Sequence, residues 1–391
     1  MRIAGIVAEY NPLHKGHMLQ IKDVKKNTGA DFVVVAMSGN FVQRGETAIF
    51  DKWTRAYFAL QAGADMVVEL PVVYSLSCAE RFAYGGVKIL SSLGIDVLCF
   101  GCENDDKELL IKTSELMENE TQEFKTVIKA YLDKGLSYPR ARSMAITEFY
   151  PDIKDYIVKP NFILALEYLK AIKRVNENID FYITKRVNSN HDDLESLSGS
   201  CARNRIINGG NLEEVLPDFV IERIKDEMPV TSDMMSEIIL YAIRTANKDT
   251  IRQIQDVREG FEMAIMREGA KAKSLDELVG KLKSKRYTLA GVKRIMMNIA
   301  LSVTQELSDK AFSDESSVYA KVLGIKNNSK MLLGEISKRT KIPVITKYQD
   351  MKLLDKNAYE LIEKDIFASN VYSIMQKKNA NRDFSEKIFY N

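Results

Sequence analysis

The sequence predicts an α/β protein: a parallel sheet in the first part of the chain, followed by a mainly α-helical C-terminal part. Three observations carry this. Short β-branched runs alternate with helix-length segments through the first half. Those runs are apolar almost throughout rather than at every second position, as in strands covered on both faces. From about Leu216 onward strand signals fade and apolar residues recur at helical spacing.

Taken in order, the candidate strands are Arg2–Ala8, Asp31–Met37, Asp65–Leu70, Asp96–Phe100 and Asp180–Thr184. Between them, apolar residues three and four apart predict helices over Met18–Lys26, Lys52–Ala62, Ala79–Leu93, Glu108–Leu132 and Asn161–Lys173, the last with Pro160 suited to its first turn. In the second half Pro343 interrupts the helical pattern. The expected division is an α/β domain over residues 1–215 and a helical domain over 216–391. Ligands of such sheets bind beyond the carboxyl ends of the strands, where strand order reverses.

Composition narrows the function. The chain has 391 residues, with 56 Lys and Arg against 54 Asp and Glu, a net charge of +2. That balance excludes a histone-like basic tail and an acidic disordered chain. Split at residue 215, the first part holds 26 basic and 29 acidic side chains and the rest 30 and 25, so the second part is the basic one. Of the four cysteines, Cys99 and Cys102 have C-x-x-C spacing, but Cys99 sits in a strand-like run and no second close pair completes a zinc set. No metal-ligand motif is present. No stretch approaches the roughly 18–20 apolar residues of a membrane span, and the N-terminus reads as a strand rather than a signal peptide. A cytoplasmic protein is expected. Histidine is scarce, at three residues, and His14 and His17 lie three apart.

That pair belongs to the strongest local feature, Glu9-Tyr10-Asn11-Pro12-Leu13-His14-Lys15-Gly16-His17, which follows the first strand and opens a helix. A strand–loop–helix junction offers backbone N–H groups and a helix N-terminus to phosphate. Imidazoles there can donate hydrogen bonds to phosphate oxygens as charge builds on them, with Gly16 expected to let backbone approach a ligand. H-x-x-H without a nearby acidic ligand is weak for zinc.

The segment resembles the T/H-x-G-H signature of the HIGH nucleotidyltransferases, a superfamily with a Rossmann-like fold whose members attack the α-phosphate of ATP and release pyrophosphate. Met37–Glu46 (MSGNFVQRGE) and Asp51–Arg55 (DKWTR) narrow the resemblance to the bacterial tRNA(Met) cytidine acetate ligases. Gly63–Asp65, Val68–Pro71, Ala79–Ala83, Phe100–Glu103, Lys159–Asn161, Lys185–Arg186 and Lys285–Thr288 extend it over essentially the whole chain.

The resemblance implies a nucleotidyltransferase-like domain for ATP and acetate over residues 1–215 and a helical tRNA-binding domain over 216–391. It implies that ATP and acetate give acetyl-adenylate, and that the acetyl group passes to the exocyclic amine of the wobble cytidine of elongator tRNA(Met). Val7, Ala8, Glu9, Tyr10, Asn11, Pro12, Leu13, His14, Lys15, Gly16, His17, Met18, Leu19 and Gln20 would embrace ATP, with His14 and His17 catalytic on its phosphates. Gly101, Asn161 and Arg186 would complete the nucleotide contacts. Ser198, Ser200 and Arg203 match a superfamily element that faces the triphosphate, although Ala202 replaces its isoleucine, and Asn188 stands where relatives tend to carry glycine. Gln43, Arg44, Glu46, Asp51, Lys52 and Arg55 are candidates for acetate or the target cytidine, with Glu46 or Asp51 a candidate base. His191 reads as a loop residue. Magnesium is expected because triphosphate chemistry generally uses it.

In the second half, Lys281, Lys283, Lys285, Arg286, Lys293 and Arg294 place six positive charges in fourteen residues without an acid among them. Phosphate neutralisation by such a cluster gives salt-dependent RNA affinity. The competing readings are a small-molecule adenylyltransferase, which needs only a compact domain, and a non-catalytic RNA-binding protein with a nucleotide-binding fold.

Overall fold

A computed structural model describes residues 1–136, 138–185, 197–327, 329–386 and 388–390. Arg186, Asn188 and His191 lie outside the described residues. The strands are β1 (Ile3–Ala8), β2 (Phe32–Ser38), β3 (Phe41–Val42), β4 (Glu46–Thr47), β5 (Met66–Leu70), β6 (Val97–Cys102), β7 (Asp180–Lys185), β8 (Ala320–Ile325), β9 (Val344–Ile345) and β10 (Phe389–Tyr390).

The centre of the sheet runs β5-β2-β1-β6-β7, every neighbouring pair parallel. Chain order therefore reverses between β1 and β6, which opens a crevice beyond their carboxyl ends. The strands are apolar on both sides because both sides are covered. Along β2, Val34 and Ala36 join one buried cluster while Val33, Val35 and Met37 join the other, the two-residue alternation of an extended chain.

The helical second half returns to this sheet. β8 pairs antiparallel with β5, and β9 and β10 pair with β8. The helix Lys356–Met375 also docks on the first half: Asp365 accepts the Val72 N–H at 2.7 Å and the Tyr372 hydroxyl donates to the Ala48 carbonyl at 2.7 Å. One apolar cluster contains Val34 and Tyr74 as well as Tyr319 and Leu361, so packing is continuous across residue 215.

The structure differs from the sequence reading in three elements. The helix expected over Glu108–Leu132 is two, Lys107–Glu118 and Gln122–Asp133, because the Thr121 hydroxyl accepts the Phe124 N–H and starts a second helix. Strand β8 lies where strand signals had faded. Pro343 stands immediately before β9, marking a strand entry rather than a helix kink.

Cys99 and Cys102 are buried in β6, and burial pushes the Cys102 thiol up to about 11. No helix of the described residues is long and apolar enough to cross a membrane.

Candidate active site

A cleft of about 450 Å³ opens at the switch point, within the size range of small-ligand sites. Its floor is the loop leaving β1, and its first wall is the N-terminus of the helix Lys15–Thr28. His14 caps that helix. Its Nδ1 accepts the Gly16 N–H at 3.1 Å, while Nδ1 of His17 accepts the His14 N–H at 3.3 Å. Backbone N–H groups can only donate, so Nδ1 of each ring is the acceptor in these bonds. The rings stack with centroids 3.7 Å apart, and Tyr10 meets His17 edge-on at 4.9 Å. Both imidazoles line the cleft. Gly16 serves this cap: a Cβ there would lie 3.0 Å from the His14 ring.

A second wall is the start of the helix Gly199–Asn208. Ser198 caps it, accepting the Cys201 N–H at 3.1 Å. Arg203 donates to the Asn11 carbonyl at 2.8 Å and reaches Glu46 at 3.6 Å. Ser200 and Arg203 both line the cleft. Opposite in character is the wall built by Phe100 and Gly101 at the end of β6 and by Pro160, Asn161, Leu164 and Tyr168. It is largely apolar, and Asn161 is held by donating to Glu103 at 2.7 Å.

The fourth side is the tip of the β3–β4 hairpin, Val42 to Glu46. Glu9 accepts the Gln43 N–H at 2.8 Å, and burial pushes its carboxyl above the usual range against the pull of that N–H and of Arg44, Arg203 and Arg55. The helix Leu289–Leu301 clamps the hairpin from outside: Lys293 binds Glu46 at 2.9 Å and Arg294 donates to the Gln43 carbonyl at 3.2 Å.

Of the signature segment, Val7, Ala8, Glu9, Tyr10, Asn11, His14, His17 and Gln20 line the cleft, with Gly101, Asn161, Ser198, Ser200, Arg203, Gln43, Arg44 and Glu46. Pro12, Leu13, Lys15, Gly16, Met18 and Leu19 shape the loop and helix without lining it. Leu13 is in the core, Leu19 faces outward, and Lys15 donates to the Glu213 carbonyl.

Asp51, Lys52 and Arg55 do not line it, and their burial supplies the reason. Asp51 caps the helix Lys52–Gln61 and binds Arg382 at 2.8 Å. Lys52 is fully buried between Glu69 at 2.8 Å and Asp383 at 2.6 Å. Arg55, also fully buried, donates to the carbonyls of Phe50, Glu9, Ser38 and Gly39. Burial lowers its guanidinium to about 10. These three fasten the strand ends under the cleft.

In the basic cluster, Lys283, Lys285 and Arg286 are exposed, Lys281 is exposed and paired with Glu277 at 2.6 Å, and Lys293 and Arg294 turn toward the hairpin. Sequence reasoning missed Tyr168 and Phe82. Tyr168 lies seven residues after Asn161, two helical turns on the same face, which is a usable signal.

The HIGH Nucleotidyl Transferase family matches residues 1–387. The chain is 38% identical over 394 residues to a tRNA(Met) cytidine acetate ligase of Thermoanaerobacter sp. strain X514, covering 97% of both chains. It is 36% identical over 406 residues to that of Clostridium novyi strain NT, covering 100% of both. Thermotoga maritima TmcAL bound with alpha-thio ATP superposes with a TM-score of 0.91 at 28% identity, over 100% of this chain and 99% of that one. The chain belongs to the HIGH nucleotidyltransferase family and, within it, to the tRNA(Met) cytidine acetate ligases.

Proposed function

We propose that this chain uses ATP to join acetate to tRNA(Met). Acetate attacks the α-phosphate of ATP, pyrophosphate leaves, and acetyl-adenylate forms. The acetyl group then passes to the exocyclic amine of the wobble cytidine of elongator tRNA(Met), giving N4-acetylcytidine and AMP. The observation that carries this reading is the stacked imidazole pair at a helix N-terminus, lining the cleft, in a chain whose full-length relatives are acetate ligases. Donors held in place before charge develops lower the barrier by roughly 3–4 kcal/mol each.

The walls suggest a division of the cleft. Phe100, Gly101 and the Asn161–Tyr168 helix face suit the adenosine; His14, His17, Ser198, Ser200 and Arg203 suit the phosphates. Gln43 and Arg44 on the hairpin tip suit acetate and the incoming base. A wobble base is single-stranded and enters such a pocket at low cost. Lys281, Lys283, Lys285 and Arg286 supply an exposed basic surface for the tRNA backbone. Lys293 and Arg294 join that surface to the hairpin. Magnesium is proposed as the companion of the triphosphate. Among the described residues no group of three or more His, Cys, Asp or Glu is arranged to hold a metal, so the ion would arrive on the phosphate oxygens. A tRNA substrate places the reaction in the cytoplasm.

The test is incubation with ATP, labelled acetate and bulk tRNA, followed by nuclease digestion. ATP-dependent acetylcytidine confined to elongator tRNA(Met) is expected. Folded protein that yields no such product would overturn the reading.

A further inference from the structure

The acetyl-transfer step releases a proton from an amine, and the cleft limits what can take it. Its two imidazoles are already engaged as acceptors, each Nδ1 taking a backbone N–H. No lysine lines it among the described residues. The lining phenols of Tyr10 and Tyr168 are pushed up by burial and hold their protons. Among the described residues two lining carboxylates remain, Glu9 and Glu46. Glu46 lies between Lys293 at 2.9 Å and Arg203 at 3.6 Å, so its oxygens are already held by two cations.

Glu9 is placed otherwise. It follows β1 directly, and its carbonyl accepts from Arg55 at 2.6 Å while its side chain accepts the Gln43 N–H at 2.8 Å. Both ends of the residue are thus fixed, between the imidazole pair and the hairpin tip. Resting on the acetate-ligase reading, we propose that Glu9 takes the proton of the attacking cytidine amine. The amine lone pair adds to the carbonyl carbon of acetyl-adenylate and the C–N bond forms. The C–O bond to the phosphate breaks, AMP leaves with that electron pair, and the N–H proton passes to Glu9 and then to solvent.

The surroundings suit an acceptor. Burial raises the carboxyl, and the partly opposing cations are Arg44 on the hairpin, Arg203 on the helix Gly199–Asn208 and Arg55 on the helix Lys52–Gln61. Tyr168 faces it from the helix Pro160–Val175. His14, His17 and the ion-paired Glu46 share the same cleft. A carboxylate displaced toward neutrality is a stronger base than one at its ordinary value.

Glu9→Gln separates this from a purely structural role, since glutamine keeps an oxygen for the Gln43 N–H but no basic site. Transfer is followed in single turnover from synthetic acetyl-adenylate to tRNA between about pH 5 and 9. Adenylation is followed by acetate-dependent ATP–pyrophosphate exchange. The expected result is that Glu9→Gln slows transfer at least about 100-fold more than exchange. The acidic limb of the transfer profile disappears, and Glu9→Asp restores it in part. Equal slowing of both steps, or an acidic limb that survives in Glu9→Gln, would overturn the proposal. Should Glu9→Gln not fold, an acidic limb left unmoved by Glu9→Asp would overturn it equally. Wild-type protein that makes acetylcytidine while Glu9→Gln behaves normally removes Glu9 alone. Wild-type protein that makes none removes the ligase reading as well.

Discussion

His17 does two jobs with one ring: its Nδ1 closes the helix cap on the His14 N–H, and the ring lines the cleft. His17→Ala should therefore lower acetate-dependent ATP–pyrophosphate exchange by about 10²–10³-fold, the usual loss for one preorganised donor. It should also lower stability by about 1 kcal/mol through the lost cap, read by chemical denaturation. A variant that exchanges at the wild-type rate would show that the ring does not face the reacting phosphate. The histidines were legible in the sequence because strand, loop, glycine and helix start are contiguous there. Asp51, Lys52 and Arg55 were not, since their polar types in a glycine-rich stretch imitate a substrate loop. Asp51 and Lys52 are held by Arg382 and Asp383, more than three hundred residues away in sequence, and Arg55 by carbonyls of its own half.

Among the elements, the β3–β4 hairpin is the one through which the two halves meet at the cleft. Gly45 at its tip has φ of 74°, and a Cβ there would fall 2.4 Å from the Arg294 nitrogen and 2.6 Å from the Lys293 carbonyl carbon. These are backbone atoms of a packed helix and cannot turn aside. Gly45→Ala should cost about 1–3 kcal/mol of stability and displace Gln43 and Glu46, so that tRNA acetylation falls further than thermal stability alone explains. Thermal melts and acetylation rates, compared below the melting range, check this. The five parallel strands were legible as long apolar runs. β8 was not, because Ala320–Ile325 is six residues in a helical context and only its pairing with β5 makes it a strand.

For the whole molecule, the near-neutral net charge conceals an exposed basic surface on the second half. Lys285→Ala combined with Arg286→Ala should weaken tRNA binding and reduce the slope of log affinity against log salt by about 1.4–1.8, or about 0.7–0.9 per charge. Titrations at several salt concentrations measure it, and an unchanged slope would place the tRNA elsewhere. The contact between halves also carries a pH signature. Burial, then Glu69 nearby, raises the Asp365 carboxyl to about 7, while its neighbours Tyr319 and Lys52 oppose the rise. Between about pH 4 and 7 the folded chain therefore holds a proton there that the unfolded chain has lost, and stability falls as pH rises through that window. Asp365→Asn should flatten that fall relative to wild type in melts across the same range. Asp51, held low despite burial by the Thr54 N–H and then Arg382, and Asp383, held low despite burial by Lys321 and Lys52, act oppositely: their stabilisation is present above about pH 4 and disappears as the pH drops through their lowered values.

On the proposed function, acetate oxygen attacks the α-phosphate in the cleft between His14, His17 and Arg203. Acetate labelled with ¹⁸O, turned over with ATP and tRNA, tests it directly by mass spectrometry of the nucleotide products. One ¹⁸O atom in AMP, with unlabelled pyrophosphate, is the predicted result. Label in inorganic phosphate with ADP as the nucleotide product would contradict the claim.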